Sequence, residues 1–99
     1  RNNLASLLAD QGKHLEEAER LARALAQEEP ANNDYRDTLA WVLVKRGRLD
    51  EALTTLKDLV SRQPENGPIR FHYGAALLAS GKKDRARNEF EAARQLPMD

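Results

Sequence analysis

The side chains that could support catalysis are few in this sequence and lie far apart along it. Nucleophilic hydrolysis needs a serine or cysteine beside a histidine that a carboxylate orients. The sequence offers His14, His72, three serines and no cysteine. Because neither histidine has a serine partner close in sequence, a Ser-His-Asp set would form only if the fold assembled one by chance. We therefore predict that the chain is not an enzyme and has no catalytic residues.

Metal, cofactor and nucleic-acid sites are not indicated either. Two isolated histidines are weak evidence for a metal, and the sequence contains no HExxH, EF-hand or P-loop motif. Sixteen basic and sixteen acidic residues cancel, so no net charge attracts nucleic acid. The basic run at Lys82, Lys83, Arg85 and Arg87 alternates with acidic side chains and lacks an aromatic stacking platform, which favours a solvated helix face. We predict no metal, no cofactor and no nucleic-acid partner.

Neither membrane insertion nor a cellular compartment can be assigned from the residues. No apolar run approaches the roughly 18 residues of a membrane span, so no integral membrane segment is expected in this chain. Cysteine-free proteins occur in every redox compartment. The chain begins with Arg1 rather than Met, which suggests a piece of a longer protein, so any targeting segment would lie outside these residues. Cytoplasm, periplasm and cell envelope all stay open.

Positions of the same character recur with a constant period along the chain. Ala18, Ala52 and Ala86 are 34 residues apart, and Pro30 and Pro64 keep the same spacing. A fixed period of about 20 to 50 residues marks a stack of supersecondary units that share a core between neighbours. The chain is therefore predicted to contain three copies of one unit.

The residues at these positions resemble the tetratricopeptide repeat, which has the same period. The third copy is the best match and carries Tyr73, Gly74, Leu77, Ala86 and Phe90. The opening Trp of the family pattern is replaced by arginine in all three copies, at Arg1, Arg36 and Arg70. The resemblance implies an all-α fold of three tandem helix-turn-helix hairpins in a right-handed superhelical solenoid segment. It also implies one domain over residues 1–99, with repeats at about 1–32, 33–66 and 67–99.

Local signals predict the same helical hairpins without the family. Leu39, Ala40 and Leu43 follow the three- and four-residue spacing of one helix face. Gly47 and Gly81 suit the left-handed conformation that ends a helix, and Asp50 and Asp84 suit the capping of the next one. We expect helices near 2–11, 14–29, 35–46, 49–62, 69–80 and 83–96.

The two ends of the array differ in character. Leu53 and Val60 of the second copy are replaced by Arg87 and Arg94 in the third, which predicts a polar final face that keeps the array soluble. The first helix instead spreads Leu4, Leu7 and Leu8 over a wide face. This apolar face is explained by a missing preceding repeat, by self-association or by partial exposure in a fragment, and the sequence leaves these alternatives open.

The resemblance implies that the first helix of each repeat lines a concave, protein-binding groove. By alignment the groove residues are Asn2, Ser6, Asp37, Thr38, Trp41, Lys45, Phe71, His72 and Ala75. Trp41 is off the Leu39/Leu43 stripe, and large aromatic residues often anchor interfaces. We therefore interpret Trp41 and Phe71 as ligand anchors, although Trp41 could instead fill core where the usual family Trp is missing.

The predicted function is a non-catalytic scaffold that binds a peptide or a partner helix in this groove. One alternative is an architectural module that packs on a longer chain, or forms a homodimer, through Leu4, Leu7 and Leu8. Another is an accessory segment of a larger enzyme such as a glycosyltransferase. The phrases "DTLAWVLVKRG" and "HYGAALLASGKK" also resemble the last repeats of bacterial tetratricopeptide lipoproteins associated with exopolysaccharide and exosortase systems.

Overall fold

Five α-helices make up all the regular secondary structure of residues 14–96, the part of the chain that the computed structural model describes. They are α1 (Leu15–Glu28), α2 (Asn33–Lys45), α3 (Leu49–Arg62), α4 (Gly67–Ala79) and α5 (Lys83–Arg94). The predicted all-α fold is confirmed, and the predicted ends of these five helices are correct to within two residues. The predicted helix near 2–11 lies outside the described residues. None of the five helices is long and apolar enough to cross a membrane.

Glycine ends α2 and α4 as the sequence predicts. Gly47 and Gly81 have φ of 79° and 82°, values that only glycine adopts at little cost. After each glycine the chain folds back on the helix, since Arg48 N donates to Leu43 O and Lys82 N donates to Leu77 O, both at 2.9 Å. These bonds satisfy carbonyls that the helix end would leave unpaired. The turns into α3 and α5 are therefore tight and nearly identical.

The predicted caps Asp50 and Asp84 are wrong. The N-cap positions of α3 and α5 are Arg48 and Lys82, which make no side-chain capping bond, and the two aspartates lie in the first helical turn. There a carboxylate still stabilises the helix through its favourable interaction with the helix dipole. The side chains that do cap helices are Asn32, which accepts from Tyr35 N at 3.0 Å, and Asn66, which accepts from Ile69 N at 3.1 Å.

Replacing Asn66 by alanine is expected to lower the free energy of unfolding by about 1 kcal/mol. The change leaves the Ile69 amide at the start of α4 without its side-chain acceptor. Urea unfolding followed by circular dichroism measures the loss. Asn88→Ala is the matched control because Asn88 is exposed within α5, and a comparable loss in both variants would contradict the capping role.

The core lies between successive helices rather than at one centre. Each helix contacts the next along the chain, and α2 also contacts α4. One buried cluster joins α2 to α5 through Ala40, Leu56, Leu59, Ile69, Tyr73, Ala76, Leu77 and Ala86, and a second joins α1 to α2 through Ala18, Ala22 and Val42. The repeat alanines Ala18, Ala52 and Ala86 are all buried to 1% exposure or less. Small side chains at these positions let the paired helices approach closely.

The final helix pair is only partly polar on its outer side. Arg87 and Arg94 are exposed, as the sequence predicts for the end of an array. On the same pair, however, Phe71 is 45% exposed and Leu78 is 49% exposed. The expectation of a simply polar final face is therefore incomplete, because the two arginines border an apolar surface.

Candidate functional site

Side chains from α2 and α4 meet in a chain of polar and aromatic contacts. His72 of α4 stacks on Trp41 of α2, with ring centroids 4.4 Å apart and an angle of 24° between the rings. His72 Nδ1 lies 2.8 Å from Asp37 Oδ1, so the protonated ring nitrogen donates to this carboxylate. Lys45 Nζ lies 4.9 Å from the centre of the Trp41 ring, within the range of a cation–π interaction. We call Asp37, Trp41, Lys45, Phe71, His72 and Ala75 the α2–α4 surface.

Trp41 has contacts on two sides. It packs against the buried cluster of Ala18, Ala22 and Val42, and it also stacks on His72. The side chain is only partly buried, unlike neighbouring Val42, which is fully buried. Trp41 therefore combines features of the core and the groove interpretations, with part of its surface open to solvent.

Phe71 lies at the outer edge of this surface. Its ring meets His72 edge-on at 6.3 Å and lies 5.4 Å from Phe90 of α5. With 45% exposure, it is one of the most accessible large apolar side chains in the described part of the chain. Phe71 thus belongs both to the α2–α4 surface and to the side of α4 that faces α5.

An acidic cavity of about 530 Å³ adjoins the α2–α4 surface where both helices begin. Three carboxylates line it: Asp34 and Asp37 of α2, and Glu65 of the turn before α4. Sequence reasoning did not identify Asp34 and Glu65. Glu65 lies in the "PENGP" stretch, which in sequence indicates only a helix break, and the approach of this turn to α2 is a tertiary contact.

The remaining groove candidates differ in how accessible their side chains are to a ligand. Lys45 is exposed and Ala75 is partly buried, so both can contribute to an accessible surface. Thr38 is 8% exposed and offers little area to a ligand, because its position on α2 turns it toward the interior. Asn2 and Ser6, like the proposed self-association residues Leu4, Leu7 and Leu8, lie outside the described residues.

Comparison of the sequence with models of protein families agrees with this arrangement of stacked helix pairs. One family model of the tetratricopeptide repeat matches residues 8–66, and another matches residues 38–98. The chain belongs to the tetratricopeptide repeat family. Tetratricopeptide repeats generally mediate protein–protein interaction, and domains built from them are typically non-catalytic scaffolds. No curated protein matches the chain, and the narrower resemblance to bacterial envelope lipoproteins stays a prediction.

Among the described residues, the tetratricopeptide scaffold brings an aspartate and a histidine together without a serine beside them. Asp37 holds His72 as an orienting carboxylate would hold a catalytic base. Within residues 14–96, however, neither Ser61 nor Ser80 hydrogen-bonds to His72, and Ser80 Oγ is buried without a hydrogen-bond partner. The same part of the chain has no group of three or more His, Cys, Asp or Glu side chains placed to hold a metal ion. The contacts of His72 with Asp37 and Trp41 therefore hold the aromatic side chains of the α2–α4 surface in place.

Proposed function

We propose that this tetratricopeptide domain binds a peptide segment of a partner protein along the α2–α4 surface. The supporting observation is the aromatic strip of Trp41, His72 and Phe71, which crosses from one helix to the next and is only partly buried. Partly exposed aromatic rings held in place by neighbours are typical anchors of protein interfaces. An apolar side chain of the ligand would pack on the accessible parts of these three rings.

The charges on this surface favour one orientation of the ligand. The acidic cavity at Asp34, Asp37 and Glu65 lies at the beginning of α2, whereas Lys45 is the last residue of α2. A ligand with a basic side chain at one end and a carboxylate at the other would complement both ends. Such complementarity fixes register and excludes wrong partners more than it raises affinity.

Pre-organisation would supply much of the binding free energy. His72 is held between the Asp37 carboxylate and the Trp41 ring before any ligand arrives. The protein therefore loses little side-chain entropy on binding, since freezing a mobile side chain costs about 0.5–1.5 kcal/mol. The ligand would be ordered on a surface that is already formed.

Peptides selected from a displayed random library against the full chain would test this proposal. Trp41 is the only tryptophan, so its fluorescence reports directly on ligands at the α2–α4 surface. We expect selected peptides to change the emission of Trp41, and we expect Trp41→Ala to weaken their binding about tenfold or more, as loss of an aromatic anchor does.

A second variant separates lost binding from lost folding. Lys45 is exposed at the end of α2, so Lys45→Glu should leave the helical content unchanged while it weakens binding of ligands that carry a carboxylate there. Lys57→Glu on α3 is the matched control, since Lys57 is exposed and does not belong to the α2–α4 surface. Peptides that bind without altering Trp41 fluorescence, and equally well to the Lys45→Glu and Lys57→Glu variants, would refute the proposal.

The two alternative functions stay predictions. Packing on a longer chain or homodimerisation through Leu4, Leu7 and Leu8 concerns residues outside the described part. An accessory role in a larger enzyme depends on sequence beyond this chain. No contact among residues 14–96 favours either alternative over peptide binding.

A further inference from the structure

The outer side of α4 and α5 carries an apolar surface bordered by basic side chains. We call it the α4–α5 end face and define it by Phe71, Leu78, Lys83, Arg87, Phe90 and Arg94. Two adjoining open cavities lie on it, of about 310 and 290 Å³, and Phe90 lines both. Phe71 and Leu78 are the exposed large hydrophobic residues of the described chain, at 45% and 49%. Phe71 lines one cavity and Leu78 lines the other, and Phe90 connects the two. A contiguous exposed apolar surface commonly marks an interaction site.

The preceding helix pair shows which kind of element covers such a surface. Residues 34 positions before Leu78, Phe90 and Ala93 are Val44, Leu56 and Leu59. Leu56 and Leu59 are fully buried in a cluster with residues of α4, and Val44 packs against that cluster. Because α4 lies on these positions of the α2–α3 pair, the matching positions of the α4–α5 pair have the shape to receive a helix.

Gly74 supports this correspondence because it places Phe90 close to α4. A Cβ atom at Gly74 would come within 2.7 Å of the Phe90 ring, nearer than carbon atoms normally approach. The glycine therefore lets the Phe90 ring lie close against α4, and the same side chain lines both cavities. Phe90 forms the floor on which an incoming helix would pack.

The charged side chains around the apolar surface determine which kind of incoming helix would bind. The positions that match Leu53 and Val60 are Arg87 and Arg94, and Lys83 lines the same cavity as Arg87. Glu91 is the one acidic residue lining the two cavities, and it accepts a hydrogen bond from Arg94 at 3.0 Å. The border thus has an excess of positive charge next to an apolar floor.

We propose that the α4–α5 end face binds an amphipathic helix of a partner protein whose apolar stripe is flanked by acidic side chains. Its apolar residues, spaced three and four apart, would cover Phe90 and Ala93 as α4 covers Leu56 and Leu59, and would also contact Leu78. Its carboxylates would pair with Lys83 and Arg87. This site is separate from the peptide site proposed on the α2–α4 surface, although Phe71 borders both.

The test uses two synthetic helical peptides of about four turns, both fluorescently labelled. One has leucine at positions spaced three and four apart with glutamate beside them, and the other has lysine in place of every glutamate. Fluorescence anisotropy with the full chain should show the acidic peptide binding about tenfold or more tightly than the basic one, with a preference that falls as salt is added. Equal binding of both peptides, or no binding of the acidic one, would overturn the proposal.

Charge reversal provides the sharper control. The double variant with Lys83→Glu and Arg87→Glu should reverse the preference between the peptides, since both side chains are exposed and folding should tolerate the change. Leu78→Glu should weaken both peptides, whereas Lys57→Glu on α3 should leave their binding unchanged. An unaltered preference in the double variant, or a loss of the acidic peptide in Lys57→Glu, would contradict the site.

A second copy of the chain is the competing occupant. Sedimentation equilibrium of the wild type and of Leu78→Glu distinguishes it from a partner helix. A monomeric wild type that binds the acidic peptide supports the proposal. A dimer that Leu78→Glu dissociates, and that the acidic peptide fails to dissociate, would assign the face to self-association and overturn it.

Discussion

Replacing Leu56 by alanine is expected to lower the free energy of unfolding by about 2–5 kcal/mol. Leu56 of α3 is fully buried where α2, α3 and α4 meet, in the cluster that contains Ala40 and Ile69. The truncation removes buried apolar area and leaves a cavity that the surrounding helices fill only in part. A domain of this size has a total stability of about 5–15 kcal/mol, so the loss is a large fraction of it. Urea unfolding followed by far-ultraviolet circular dichroism measures the change.

Leu78→Ala is the matched control for Leu56. The same chemical change is made on α4, but Leu78 is 49% exposed. Leu78→Ala should lower the free energy of unfolding by less than about 1 kcal/mol, since the change removes little buried apolar area and leaves no closed cavity. Similar losses in the two variants would show that the α2–α3–α4 junction is not the main source of stability.

Glu19→Ala is expected to lower the free energy of unfolding by about 2–3 kcal/mol, less than the roughly 3–5 kcal/mol for breaking a fully buried ion pair. Glu19 is 8% exposed and accepts from Arg23 of α1 at 3.0 Å and from Arg46 at 2.9 Å. Arg48 Nε lies 3.7 Å from the same carboxylate. Without the Glu19 carboxylate, the three guanidinium groups stay close together and lose part of the negative charge that offsets their mutual repulsion. Because parts of these arginines reach solvent, the cost falls below that of a fully buried pair.

The control on the same helix is Glu16→Ala. Glu16 pairs with Arg20 at 3.6 Å, but the side chains are 74% and 72% exposed. Exposed pairs of this spacing contribute about 0.3–0.5 kcal/mol. Denaturant unfolding of both variants should therefore separate them clearly, and equal costs would mean that the Glu19 network does not join α1 to the α2–α3 turn.

The Glu19 network should also make stability depend on pH. Burial alone raises the pKa of the Glu19 carboxyl. The hydrogen bonds from Arg23 and Arg46 and the charge of Arg48 outweigh burial, and the pKa lies below its ordinary value. The resulting stabilisation is complete above the unfolded pKa of about 4.3 and is lost as pH falls through the lower folded pKa.

A comparison of the wild type with Glu19→Gln isolates this contribution. The hydrogen bonds from Arg36 and Arg62 also lower the pKa of Asp58, so acid destabilises the wild type through more than one carboxylate. We therefore expect the stability difference between wild type and Glu19→Gln to be constant near neutral pH and to shrink below about pH 4. A difference that does not change down to pH 3 would contradict the assignment to Glu19.

Turns and periodicity were predictable because they depend on local chemistry. Gly47 and Gly81 both take the left-handed conformation, which follows from the absence of a side chain at a helix end. The alanine period indicated where paired helices approach, and all three alanines are buried. These features need only residues that are close together in sequence.

Capping residues and the character of the final face were not predictable in the same way. Asp50 and Asp84 are good capping types, but the glycine-ended turns start α3 and α5 at Leu49 and Lys83, and both aspartates fall inside the first turn. The substitutions at Arg87 and Arg94 suggested a polar end. The exposed apolar residues Phe71 and Leu78 lie on α4. Comparing the residues of α5 with those of the earlier copies therefore does not reveal them.

The sequence by itself determined the class of the protein: the period, the helix ends and the tetratricopeptide resemblance all follow from spacing along the chain. Only the tertiary structure decided how residues far apart are combined. It placed His72 between Asp37 and Trp41, drew Glu19 toward Arg46 and set Phe71 against Phe90. The physical reason is that periodicity determines which face of a helix is buried, whereas the rotation and offset of packed helices determine which side chains meet across them.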